Sequence, residues 1–305
     1  MLRLIKEILV GIGQIFLQEN GLSGLIITIA MFFSHWTLGV ACFLGSLIGT
    51  LTAKTLKYPA DQIKMGLYGF NASLTFMCVM FTFGEDYAGK LSIWLIAILG
   101  CVISTILMRA FTQRNKVAFT FPFVLTCWFL CWGIAKLKLF GLTQTSLPLP
   151  ELTNAVDAMQ EPFYAWAYAW AGVNFGSSIV TGTLLFLAIA ISSPSAAMWG
   201  VAAATIGTAF AHYLLGIDQN TLTNGIYGSS PILVACVFAG RQLRNFFYVV
   251  IGVIVAVLIQ YLFSLIGLAP YTIGFIVASW LLLAIKAKIE NNQFDEGKLV
   301  KILNP

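Results

Sequence analysis

Ten apolar runs, near 22–34, 37–53, 66–83, 91–108, 117–135, 180–191, 196–215, 225–239, 246–266 and 271–287, decide where this chain can fold. A helix needs about 20 apolar residues to cross the hydrocarbon of a bilayer. The chain is 59% hydrophobic and only 10% charged, where a soluble domain carries about 25% charged residues. A soluble core of 305 residues cannot hide so much apolar surface. The reading is therefore an all-α polytopic membrane protein. The first residues carry Arg3, Lys6 and Glu7 at amphipathic spacing and no small-residue cleavage site, so no cleaved signal peptide is expected.

The runs fall into two series of five. Several are shorter than a full span, and the first of each series is the shortest. An aromatic segment precedes each series, 4–18 and 163–176 (FYAWAYAWAGVNFG), too short or too polar to cross. These read as half-helices. Ser23-Gly24 aligns with Thr181-Gly182 at an offset of 158, and Gly66-x-Tyr68-Gly69 with Gly225-x-Tyr227-Gly228 at 159. Thr120 and Trp128 align with Thr272 and Trp280 at 152. Five is odd, so a second copy enters the membrane from the opposite side. The expectation is ten transmembrane helices plus two pore half-helices, in two inverted repeats about an axis in the membrane plane. The boundaries are 1–140 for the first repeat, 141–162 for an extracytoplasmic linker rich in Thr, Pro and acids, 163–290 for the second repeat and 291–305 for a cytoplasmic tail.

Charge tests the count. With ten spans, one side collects fourteen basic residues, among them Arg3, Lys54, Arg109, Lys116, Arg244 and Lys286, and the other only Lys90, Lys136 and Lys138. Glu85, Asp86, Glu151, Asp157, Glu161 and Asp218 fall on that second side. Both termini are thus predicted cytoplasmic, in a multi-pass protein of the cytoplasmic (inner) membrane. The net charge of +5 is accounted for by these loops and does not indicate a nucleic-acid partner.

Chemistry is sparse. His35 and His212 stand in unrelated contexts, with no His-x-x-x-His pair, no Gly-x-Ser-x-Gly and no phosphate-cradling glycine loop, which argues against an enzyme. The six cysteines all lie in apolar runs. Cys127 and Cys131 have helical i,i+4 spacing but no His or acid beside them, so they read as small hydrophobes, with no metal or cofactor expected. Gln14 and Asn71 stand out instead, because an amide in hydrocarbon must find hydrogen-bond partners. The repeated glycines read as places where helices approach closely.

Three stretches resemble the urea transporter family. GIGQIFLQENGLSGLIITIAMFF looks like its half-helix and first span, GLYGFNASL like its third span, and FTFPFVLTCW, with Thr-x-Pro-Phe, like its fifth. The resemblance covers nearly the whole chain. It implies passive urea flow through a selectivity filter, with a homotrimer carrying one pore per protomer. Carried over by motif, Gln14 is the polar filter residue of the first half, with Leu17 one turn on. Phe70 and Leu74 form the slot, and Thr120 is the threonine of the fifth span. In the second half Leu233 and Thr272 fit, but the half-helix position, often Glu or Gln in the family, is Gly172, followed by Val173. The slot aromatic falls at Ser229, and the proline of Thr-x-Pro-Phe at Gly274. These departures predict a looser second half that separates urea poorly from larger amides. They leave open a channel of the same fold for another amide or ammonia. An ion-coupled transporter would need a titratable residue on the path, for which His212, Asp218 and Glu19 are the candidates.

The topology makes a direct prediction. In a background without native cysteines, Thr145→Cys should react with an impermeant maleimide added to intact cells, and Val300→Cys should not. Labelling of position 300 from outside would overturn the orientation.

Overall fold

A computed structural model describes residues 2–84, 90–138, 142, 162–176, 178–218, 221–222, 225–240 and 242–303. Apart from Leu142 and Pro162, the expected linker lies outside these residues, as do Glu85, Asp86, Asn224 and Arg241. Among the described residues the chain is helical, without strands.

The first half runs α1 (Leu2–Gly13), a 3-10 turn (Gln14–Phe16), α2 (Gly21–Ser34), α3 (Trp36–Thr55), a short α4 (Ala60–Lys64), α5 (Phe70–Phe83), α6 (Leu91–Thr112) and α7 (Phe121–Cys127). From α7 it passes through a π turn (Trp128–Gly133) into α8 (Ile134–Leu137). The second half runs α9 (Pro162–Gly172), α10 (Ile179–Ser192), α11 (Pro194–Leu215), α12 (Ile226–Phe238), α13 (Leu243–Leu265) and α14 (Ile273–Leu303). The last helix continues without a break through 291, where the sequence suggested a tail. Trp36–Thr55, Leu91–Thr112, Pro194–Leu215 and Leu243–Leu265 are long and apolar enough to cross a bilayer. The segments Leu2–Phe16 and Gly21–Ser34 meet at a bend of 77° and count as one further broken span. The 14 residues of α5 and 13 of α12 reach only about 20 Å, against about 30 Å of hydrocarbon.

Breaks in helices need substitutes for lost backbone hydrogen bonds. At the α1–α2 elbow Leu17 turns left-handed, with φ 60°. Asn20 Oδ1 then accepts from the amides of Leu22 and Ser23 at 2.9 and 3.3 Å, the usual work of an N-cap. The α9–α10 elbow repeats the device 158 residues on. Phe175 has φ 62°, and Ser178 Oγ accepts from the Thr181 amide at 3.2 Å.

Backbone contact holds each elbow together. A Cβ on Gly24 would stand 1.8 Å from the carbonyl oxygen of Leu9, and one on Gly182 1.8 Å from that of Ala167. The leading glycine of each Gly-x-Tyr-Gly phrase has positive φ, Gly66 at +75° and Gly225 at +70°. Each presses on the half-helix backbone, at Gly11 and at Tyr168–Ala169. The phrase recurs because both half-helices are clamped this way. The halves also bond reciprocally: Ser23 Oγ donates to the Ala188 carbonyl at 2.6 Å, and Thr181 Oγ1 to the Ala30 carbonyl at 2.9 Å.

Polarity is arranged for lipid. Leu91, Leu95, Leu99, Phe247, Ile251 and Leu262 are exposed on the long helices, while Ser46, Asn71, Ser73, Thr105 and Thr181 are fully buried. The buried hydroxyls turn to backbone: Ser46 Oγ to the Ile8 carbonyl and Ser73 Oγ to the Cys42 carbonyl, both at 2.8 Å. Glu7, buried on α1, is paired with Arg3 and Lys54. The chain is a helical membrane protein.

Gly24→Ala and Gly182→Ala should each cost about 1–3 kcal/mol or more, since backbone must move to admit the methyl group. Gly133→Ala, whose added Cβ finds its nearest neighbour at 3.6 Å, is the matched control. Thermal unfolding of the purified protein in detergent checks this, and equal midpoints for all three variants would contradict it.

Candidate functional site

Two left-handed residues set up the centre of the molecule. Phe119 (φ 48°) precedes Thr120 at the start of α7, and Tyr271 (φ 42°) precedes Thr272 at the start of α14. The two hydroxyls meet at 2.7 Å, with Thr120 2% and Thr272 6% exposed. Around them four contacts fall into two pairs related by 152 residues. Trp128 Nε1 donates to the Ala269 carbonyl and Trp280 Nε1 to the Val117 carbonyl, each at 2.8 Å. Phe119 packs on Phe275 at 5.0 Å between ring centres, and Phe123 on Tyr271 at 5.5 Å. Two helix starts thus dock head to head.

Asn71 explains why the Thr120 hydroxyl is available. A threonine at an N-cap usually accepts from the amide two or three residues on. Thr120 stands at that position but makes no such bond. Instead Asn71 Oδ1 accepts from the Phe123 amide at 3.0 Å, and its Nδ2 donates to the Phe119 carbonyl at 3.2 Å. The asparagine caps α7 in place of the threonine, which turns toward its counterpart. A hydroxyl pair of this kind uses one proton and one lone pair, leaving one O–H and three lone pairs for other partners.

The other expected pore residues lie on separate elements. Gln14, half-buried after α1, donates its Nε2 to the Met65 carbonyl at 2.8 Å. Its Oε1 accepts from no described residue, so the anchored amide presents an acceptor. Leu17 follows in the left-handed turn. Phe70 and Leu74 are buried one turn apart on α5, as are Ser229 and Leu233 on α12. Ser229 Oγ donates to the Ile226 carbonyl at 2.9 Å, and Val173 is buried just past α9. Thr120 and Thr272 are the two of the set whose side chains bond directly.

Two of the three candidates for ion coupling bond to near neighbours in sequence. Asp218 accepts from the Thr221 amide and hydroxyl at 3.0 and 2.7 Å, His212 Nδ1 lies 3.1 Å from the Ile217 carbonyl, and Glu19 is exposed. One ring at the second elbow did not stand out in the motifs. Phe175, the counterpart of Leu17, packs its ring on Phe81, Phe123 and Tyr271 at 5.4, 6.0 and 6.4 Å. The second half thus has an aromatic at its elbow where the first half has Leu17. The signal was the spacing from Thr181-Gly182, which sets Phe175 against Leu17.

Comparison with known proteins agrees with this architecture. A family model described as urea transporter matches residues 5–287. Urea transporter 1 of Rattus norvegicus is 26% identical over 257 residues, covering 79% of this chain and 64% of the relative. Urea transporter 1 of Mus musculus and that of Ovis aries are each 35% identical over 78 residues, covering 26% of this chain and 20% of the relative. The chain therefore spans less than two thirds of the length of these relatives. A match that takes in both elbows and both threonines places the chain in a family of transporters rather than enzymes: it belongs to the urea transporter family.

Proposed function

We propose that this protein is a passive channel for urea in the cytoplasmic membrane. It has ten spans in two inverted halves, both termini cytoplasmic, and a path through each protomer of a homotrimer. The observation that carries the reading is the Thr120–Thr272 hydroxyl pair, buried where the two helix starts dock. Reciprocal contacts at offsets of 158 and 152 support the two-fold relation of the halves. A solute path at such an interface is where broken helices with inverted repeats place one. The names of the relatives support urea as the solute.

Urea is flat, neutral and rich in donors and acceptors. Apolar walls from Phe70, Leu74, Val173 and Leu233 admit it edge-on and offer nothing to an ion. The free O–H of the threonine pair donates to its carbonyl. The Gln14 Oε1 and the threonine lone pairs accept from its amino groups. An unmade buried hydrogen bond costs about 1–3 kcal/mol, more than a made one contributes. The path therefore needs several weak partners in sequence, which also lets the solute leave. Local bonding of His212 and Asp218 favours passive flow over ion coupling.

Thr120→Val with Thr272→Val keeps shape and removes both hydroxyls. Urea flux in proteoliposomes should fall about fivefold or more, the equivalent of one net hydrogen bond of about 1 kcal/mol, with assembly unchanged. Full flux would make the pair structural. Asn71→Leu should slow flux as well, because the uncapped Phe123 amide recruits the Thr120 hydroxyl. Restoring Asn71 function with Asn71→Asp should recover part of it.

Phe175→Leu copies the first half into the second. If the Phe175 ring walls the path, dimethylurea flux should rise relative to urea. An unchanged ratio would put the ring outside the path and return the discrimination question to Gly172 and Ser229.

A further inference from the structure

The fold gathers three thiols that the sequence separates. Cys78 lies on α5, Cys127 ends α7 and Cys131 sits in the π turn. No two of their Sγ atoms are more than 4.8 Å apart, and Cys78 and Cys131 are 3.7 Å apart. All three are fully buried. Thr82 Oγ1 stands 3.8 Å from the Cys78 sulfur. Cys78 falls one turn beyond Leu74 on the same face of its helix.

Packing does not demand the cluster. The counterparts in the second half, at the same offsets of 159 and 152, are Val237, Ser279 and Leu283. The fold fills the related volume there without sulfur. Six cysteines are present, and half of them converge on one point.

We propose that Cys78, Cys127 and Cys131 form a binding site for a single soft monovalent metal ion of the copper(I) or silver(I) class, set in the wall of the solute path. Sulfur ligands select soft ions. At a metal–sulfur distance of about 2.3 Å, three sulfurs around one ion stand about 4 Å apart, close to the spacing already present. Little rearrangement is needed. Burial chooses the charge. A monovalent ion held by one thiolate and two neutral thiols is neutral overall, and its entry releases one proton. A divalent ion would reach neutrality only with a second thiolate, adding a second buried anion to the low-dielectric interior. The ion would tie α5 to α7 just past Leu74, behind the Phe123, Phe175 and Tyr271 rings, and so hold that stretch of the path. Its effect on flux rests on the proposed channel, whereas the ion count does not.

The test uses the whole purified chain, dialysed against silver(I) without thiol reagents. One ion per chain should be retained, and urea flux in proteoliposomes should fall at least several-fold on loading. Cys78→Val, Cys127→Ser and Cys131→Leu, which copy the second half, should each weaken retention at least tenfold. Replacing Cys42, Cys101 and Cys236 together by Ala should leave it unchanged. X-ray absorption at the metal edge on the unmutated chain should count three sulfur neighbours, so the answer does not hang on whether a variant assembles. The proposal is overturned by no retained ion, by retention unchanged in the cluster variants, by fewer than three sulfurs, or by a Cys78–Cys131 disulfide in place of metal. A bound ion with unaltered flux overturns its placement on the path. A chain that carries no urea at all refutes the channel, while the ion count still decides the site.

Discussion

Backbone that leaves a helix inside hydrocarbon must still be hydrogen-bonded, and this constraint organises the molecule. The structure breaks helices at the two elbows and again before α7 and α14. Side chains make the substitute bonds at the two elbows and before α7. Asn20 and Ser178 cap the elbows. Gln14 takes the Met65 carbonyl. Asn71 bonds both sides of the turn before α7. Glycine supplies the complementary half of the device, because only a residue without Cβ lets Gly24 and Gly182 lie against carbonyl oxygens.

That arrangement links stability to chemistry. The polar groups that close the breaks also decide which groups stay open. Since Asn71 caps α7, the Thr120 hydroxyl is left for its counterpart. Since Gln14 is anchored through its nitrogen, its oxygen is the end presented. The second half is built less fully. At the position of Asn71 stands Ser230, whose buried hydroxyl has no partner among the described residues, and Asn174 near the second elbow is buried with neither amide atom bonded to a described residue. Buried polar atoms without protein partners are where ordered water or solute is normally found. The two halves therefore share a frame while differing in what they offer along it.

Much of this frame was legible because hydrophobic length is a strong signal. The runs 37–53 and 91–108 became Trp36–Thr55 and Leu91–Thr112, their ends extended by capping and polar residues that hydropathy does not weigh. The need of Asn71 for partners could be read from its apolar surroundings, but not that the partners were the turn around Thr120. Thr120 and Thr272 aligned by counting. Their contact depends on two positive-φ residues, Phe119 and Tyr271, which no composition marks. The half-helices were visible as short aromatic segments, yet the ring contacts of Phe175 were not, because they join three separate elements. Cys78 lies 49 residues before Cys127, so only the packing of α5 on α7 joins them.

The threonine pair carries one consequence of symmetry. Two like hydroxyls facing each other across 2.7 Å share a single proton between their oxygens, and either oxygen can be the donor. The centre thus has two arrangements, opposite in the direction of their dipole, exchanged by rotating two O–H bonds. In the proposed channel, a molecule arriving from either face would meet the same choice and could find the free proton turned toward it. If the proposed path runs past this pair, it has no built-in sense of direction there, and only the concentrations outside could supply one.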